Sequence, residues 1–249
     1  MKINILTVFF ISAVTLLQAQ VINTEKLRIN SDQTGWNGSV DFTFDAIQNT
    51  NQIITGGARI RTEYLNLPHR LLLIGQGSLS RVNGQQLVNR SYFHSRYNYS
   101  FNKRWTGESF FQIQHNKIQK IGLRSLWGVG PRMNIMDRDT IKLYTGVLYM
   151  YEYEELTIEN IINRSHRLSA YASFAIALKS WLRFSHISYI QPNLEALSDF
   201  RISTDNVWTF SFTKKLSWRI QLLLTYDSEP PFDVPSLVYQ LKNGLHVDF

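Results

Sequence analysis

His186, Ile187 and Ser188 place an imidazole and a hydroxyl two residues apart in a stretch that reads as a β-strand. At that spacing both side chains project from one face. The ring can then take the hydroxyl proton and leave the oxygen a nucleophile. Acyl transfer of this kind needs a third group to orient the imidazole. Asn206, with Thr204 two residues before it, lies on the same face of the next strand-like stretch. Leu182, Phe184 and Ile190 share the face of the His-x-Ser pair, so the chemistry offered is hydrolysis of an ester carried on an apolar chain. The opposite face, with Trp181, Arg183, Ser185, Ile187 and Tyr189, is also mixed, which makes this the least decisive strand of the chain.

A larger set of ionisable residues recurs at alternate positions. Arg59, Arg61, Glu63, Arg90, Arg96, Glu108, Glu152, Arg201, Asp205 and Arg219 all fall in phase with polar neighbours and out of phase with apolar ones. On a lipid-facing surface near the midplane an Arg costs roughly 2–4 kcal/mol, so these residues are expected to line a lumen. Two outcomes follow from that placement. Guanidinium and carboxylate groups can pair across a narrow barrel and fill it, or an arginine excess can line an aqueous path that favours anions. About twelve strands enclose a lumen between these limits. No spacing of His and carboxylates suits a metal and no glycine loop suits a phosphate, so neither metal nor cofactor is expected. The net charge of +7 forms no basic stripe interleaved with aromatics, which argues against nucleic acid.

The elements that must position these groups are strands. Val40, Phe42 and Phe44 alternate with Ser39, Asp41, Thr43 and Asp45. The same odd-even division recurs along residues 54–63, 90–101, 105–114, 141–154, 200–212 and 218–227, and in the final stretch from Leu237 to Phe249. A slip of one residue would turn every charge outward, so register is strongly fixed. The pattern predicts an all-β chain of about twelve antiparallel strands in an up-and-down transmembrane barrel. Short turns are expected near residues 66–69, 102–104, 137–139, 179–180 and 214–215. Longer connections are expected at 155–162, 192–197 and 229–235, and short periplasmic turns opposite longer outer loops are the polarity of outer-membrane barrels. A soluble secreted β-sandwich is the competing architecture.

Residues 1–19 read as a signal peptide, with Lys2, an apolar run over 3–17 and Ala19 at the cleavage point. Residues 20–34 form a short periplasmic lead and residues 35–249 the barrel. The chain has 0 Cys, which excludes lipoprotein processing and suits export through an oxidising periplasm without disulfides. Aromatic residues make up 13% of the sequence, and such rings suit the membrane interface. The expected location is the outer membrane of a Gram-negative bacterium. The expected partners are its lipid and lipopolysaccharide, and the barrel-assembly machinery, which would read the C-terminal strand ending in Phe249.

Two resemblances bear on these expectations. Over residues 35–155 the order of Gly35-Trp36-Asn37-Gly38-Ser39, Tyr97-Asn98-Tyr99, Gly128-Val129-Gly130, and Gly146 followed by Tyr151-Glu152-Tyr153-Glu154 resembles a bacterial family known as a domain of unknown function and labelled a salt-induced outer-membrane protein. That resemblance implies a barrel in the outer membrane and transfers no catalytic residue; the turn at Gln48-Asn49-Thr50-Asn51 departs from the family's usual Gly-Asn. The His186-x-Ser188 pair resembles outer-membrane lipid hydrolases, departing from them at Tyr189 and Ile190.

Overall fold

The structure, a computed structural model, describes residues 34–157, 161–213 and 215–247. The expected signal peptide, the lead up to residue 33 and Phe249 lie outside the described residues. Twelve strands follow one another: β1 Gly35–Gln48, β2 Gln52–Asn66, β3 His69–Val82, β4 Gln85–Ser100, β5 Trp105–Asn116, β6 Ile121–Arg138, β7 Ile141–Leu156, β8 Ile162–Lys179, β9 Leu182–Pro192, β10 Phe200–Ser211, β11 Leu216–Asp227 and β12 Leu237–Val247. All belong to a single sheet in chain order. Each is antiparallel to the next, as between β1 and β2 or β9 and β10. The fold is the transmembrane up-and-down β-barrel, and the sandwich expectation is corrected, because it requires two sheets packed face to face and the twelve strands form one.

Strand lengths run from 11 residues in β9 and β12 to 18 in β6 and β8. All meet the roughly 9–11 residues that a tilted strand needs to cross the hydrocarbon. Along β7 the alternation is visible atom by atom: Val147 and Tyr149 are exposed, while Leu148 and Met150 between them are fully buried. Phe42, Phe44, Trp127, Val129, Leu241 and Leu245 are likewise exposed on the outside. A continuous apolar exterior of this extent belongs in lipid rather than in water.

Turns fall where the turn residues lie. Asn83 and Gly84 join β3 to β4 with φ of 49 and 78, the left-handed pair that a two-residue hairpin requires. Connections at one end of the barrel span residues 67–68, 101–104, 139–140, 180–181 and 212–215; those at the other span 49–51, 83–84, 117–120, 157–161, 193–199 and 228–236. The second set holds the three longest.

The interior differs from a purely polar lumen. Leu72 and Ile74 of β3, Leu126 of β6, Leu148 and Met150 of β7, Ile187 of β9, Val207 of β10 and Leu223 of β11 all point inward and are buried. Leu148, Tyr171, Ile187 and Tyr189 pack together, with Phe110 against them. Facing walls of a narrow barrel are close enough for side chains to fill the space between them, so inward apolar groups leave water by packing on one another. One cavity, of about 30 Å³, is bordered by His94, Phe110, Leu126, Leu148, Ser169 and Tyr189, which come from β4 through β9. Between β1 and β12 no ladder forms among the described residues.

Candidate functional site

Two constellations of polar side chains stand out, one on each surface of the wall. On the outside, the β9–β10 ladder sets His186 opposite Asn206 and Ser188 opposite Thr204. Ser188 Oγ lies 2.8 Å from His186 Nε2, and His186 Nδ1 lies 2.7 Å from Asn206 Oδ1. Asn206 Nδ2 donates to Thr204 Oγ1 at 3.2 Å and to the backbone carbonyl of Leu222 at 3.4 Å. A carbonyl oxygen only accepts, so the Leu222 contact fixes which end of the Asn206 amide is nitrogen. Asn206 Oδ1 then accepts from His186 Nδ1–H, and the Nε2 lone pair faces the Ser188 hydroxyl. The residues on either side of this face in β9, Ile187 and Tyr189, are buried inside the barrel, so the relay lies on the outer face of the wall, the face that the sequence pattern assigns to lipid. The Phe174 ring lies tilted beside the imidazole, with ring centroids 5.0 Å apart. Other described histidines are partnered differently: His69 meets the Tyr97 hydroxyl at 2.6 Å, His166 meets that of Tyr149, and His115 Nδ1 meets the Gly122 carbonyl.

Inside, the charges are organised around two buried carboxylates. Glu152 of β7, 1% exposed, receives Arg124 Nε and Arg201 Nη1 on Oε1, each at 2.5 Å, and Arg167 Nε on Oε2 at 2.6 Å. Arg201 also bonds Asp227 at 2.8 Å, and Arg167 bonds Asp199 at 2.6 Å. Glu154 lies 3.7 Å from both Arg124 and Arg201. Glu108 of β5, equally inaccessible, accepts from Asn98 at 2.5 Å and from Tyr171 at 2.7 Å, with Arg132 at 3.4 Å and Arg96 at 3.7 Å. The Tyr171 and Arg201 bonds each join strands three apart in the wall, so they cross the interior rather than run along a ladder.

The other predicted lumen residues divide by position. Glu63 is buried and pairs with Arg70 at 3.2 Å. Asp205 is buried and holds Gln221 Nε2 at 2.9 and 3.0 Å. Arg90 Nε donates to Ser78 at 2.6 Å. Arg59, exposed, faces Asp41 and Gln76 across its ladders, and Arg61 faces Ser39 and Ile74. Arg59, Arg90 and Lys242 of β12 act electrostatically on one another, with Asp205 opposing. Arg219 is exposed near the short-turn end of β11. The sequence reading missed Asp199 and Tyr171. Extending the phase of Arg201 and Asp205 back by two residues reaches Asp199, and extending that of Arg167 forward reaches Tyr171. No group of three His, Cys or carboxylate side chains with metal-binding geometry occurs among the described residues.

No curated protein matches the sequence. Among solved structures, the chain is similar to the NanC porin in a rhombohedral crystal form, with a TM-score of 0.46 at 10% identity over 78% of this chain and 94% of that one. It is similar to the KdgM porin, with a TM-score of 0.43 at 10% identity over 83% of this chain and 98% of that one. A KdgM porin in complex with disordered oligogalacturonate gives 0.41 at 10% identity, with the same coverage. A family model matches residues 28–249, extending the resemblance read over 35–155 to almost the whole sequence, and the chain belongs to that family, the proteins of unknown function DUF481.

Proposed function

We propose that this protein is an outer-membrane barrel with a packed interior and a structural role, rather than a wide solute pore. The observation that carries the proposal is the Glu152 cluster, in which arginines of β6, β8 and β10 converge on one carboxylate of β7. Such a network has the stiffness of a core and spans the space a pore would need. Support also comes from the end with longer connections. Lys120, between β5 and β6, donates to the Phe232 carbonyl at 2.8 Å and lies 3.3 Å from Asp233, both in the connection between β11 and β12. That connection thereby crosses the mouth, and Pro230, Pro231 and Val234 of it border a cavity of about 50 Å³ with Arg124, Glu154 and Arg201 below. Outer-membrane lipid, lipopolysaccharide and the barrel-assembly machinery are the partners this reading implies.

A second reading, passage of small anions, is favoured by Arg59, Arg61, Arg90 and Lys242 gathering along the walls of β2, β4 and β12, away from the Glu152 cluster. Planar-bilayer conductance separates the two. The structural reading expects purified protein to insert without steady openings. Steady anion-preferring openings that disappear in the Arg59→Ala, Arg90→Ala, Lys242→Ala triple variant would replace it with the second.

A further inference from the structure

The outer surface of β9 and β10 carries a complete acid-base relay. Polar side chains on a lipid-facing wall are costly, and removing all of them from this face would leave an ordinary apolar exterior. Instead Ser188, His186, Asn206 and Thr204 bond in series at 2.8, 2.7 and 3.2 Å. The relay ends on a backbone carbonyl that fixes its direction. We propose that this relay is a catalytic site for hydrolysis of long-chain acyl esters of membrane lipid.

Position selects the substrate class. Ser188 lies four residues before the end of β9 at Pro192, and with about 3.3 Å per residue and a tilt of roughly 40° it sits about 10 Å below the strand end. That strand end leads into the long connection 193–199, so in the outer-membrane orientation the hydroxyl lies in the outer leaflet, at the depth where acyl esters meet their hydrocarbon. The neighbour of Ser188 on β8 is Ala172, and Ala170 stands opposite Ile190. These two side chains are small, and with Phe174 and Ile190 on the same face they offer an apolar strip beside the nucleophile along which an acyl chain would lie.

The chemistry balances with water as the second reactant. Ser188 Oγ attacks the ester carbonyl carbon as its proton passes to His186 Nε2. The resulting imidazolium is held by Asn206 Oδ1 at Nδ1. Collapse of the tetrahedral adduct breaks the ester C–O bond, and His186 returns the proton to the leaving alkoxide, releasing the lysolipid alcohol. Water from the interface then attacks the acyl-serine, giving its proton to His186. The serine C–O bond breaks, the serine regains that proton, and the fatty acid departs. Thr204, directly opposite Ser188, accepts from Asn206 and has its own hydroxyl hydrogen to direct at the developing oxyanion. His186 and Ser188 are the catalytic residues; Asn206 is a positioning residue.

The proposal rests on the membrane placement of the barrel, and its test keeps the two apart. Full-length mature protein in detergent is first shown to be folded by heat-modifiable gel mobility. It is then incubated with a long-chain alkyl sulfonyl fluoride, with phosphatidylethanolamine mixed micelles and with lipid A. Expected are mass-spectrometric labelling at Ser188 and release of free fatty acid from at least one lipid, the two arms telling phospholipid from lipid A as the source. Ser188→Ala should lower turnover at least 100-fold and abolish the label while leaving mobility unchanged. Asn206→Ala should lower kcat about tenfold or more at similar KM, and Asn206→Asp should restore most of it, a rescue that a purely structural amide would not show. A folded wild-type protein that neither labels at Ser188 nor releases acid from either lipid overturns the site and leaves the location standing. A chain that is water-soluble without detergent overturns the location first.

Discussion

Glu152 shows how much a single carboxylate holds in place. Its two oxygens accept from Arg124, Arg167 and Arg201; Arg167 and Arg201 each hold a second carboxylate, Asp199 at 2.6 Å and Asp227 at 2.8 Å, whereas the other carboxylate near Arg124, Glu154, lies at 3.7 Å. Breaking one partner of a buried ion pair leaves an uncompensated charge at a cost of about 3–5 kcal/mol. Glu152→Gln should therefore destabilise the barrel by that order, read as a lower urea midpoint in detergent. Exposed Lys142, paired with Asp137 at 3.7 Å, supplies the contrast: Lys142→Ala should cost less than about 1 kcal/mol and leave the urea midpoint nearly unchanged. Both residues lie in one alternating strand, and sequence phase placed both inward. Phase alone does not report depth, and depth decides their worth. The relay was legible for a related reason. His186, Ser188 and Asn206 share a face by parity, and only the register that sets His186 against Asn206, which no local pattern contains, makes them one site.

At the scale of elements, β6 is where two glycines have a steric reason. A Cβ on Gly130 would run into the backbone of Val147 and Leu148 in the adjoining β7, and one on Gly128 would run into the Phe110 ring of β5. The family-like Gly128-Val129-Gly130 run thus lets β6 lie close to its neighbours while Val129 faces outward. A Cβ at Gly130 meets backbone, which cannot swing aside, so Gly130→Ala should distort the β6–β7 ladder. The effect expected is a fall of at least several degrees in the temperature at which compact gel mobility is lost. Gly77→Ala, where a Cβ would meet nothing within 4 Å, should leave it nearly unchanged. Strand boundaries were largely readable because Asn83-Gly84 and the other turn residues punctuate an alternating pattern. The inward face of β3 was not, since Leu71 to Ile74 is a continuous apolar run. Both parities of such a run look alike, and only packing against the opposite wall selects Leu72 and Ile74 for the interior.

For the whole molecule the decisive question is how the sheet ends. β1 and β12 carry no mutual ladder among the described residues, yet hydrocarbon offers no hydrogen-bond partners to an open strand edge. Lys242 of β12 acts on Arg59 and Arg90 of β2 and β4, and Arg59 stands opposite Asp41 of β1 in the ladder. In a bilayer, then, β1 and β12 should pair antiparallel and seal the wall, bringing Asp41 beside the inward-facing residues of β12. Because the chain has 0 Cys, paired substitutions report this without interference. Asp41→Cys combined in turn with Gln240→Cys, Lys242→Cys and Gly244→Cys should give a disulfide in at least one combination when the protein sits in lipid. That cross-linked form should keep a more compact gel mobility after boiling, reverting with reductant. If none of the three pairs oxidises while Ser39→Cys with Arg61→Cys, opposite one another in the β1–β2 ladder, does so readily, the wall is not closed at this seam. A lateral gap beside β1 would then be the route by which lipid reaches the arginines of β2.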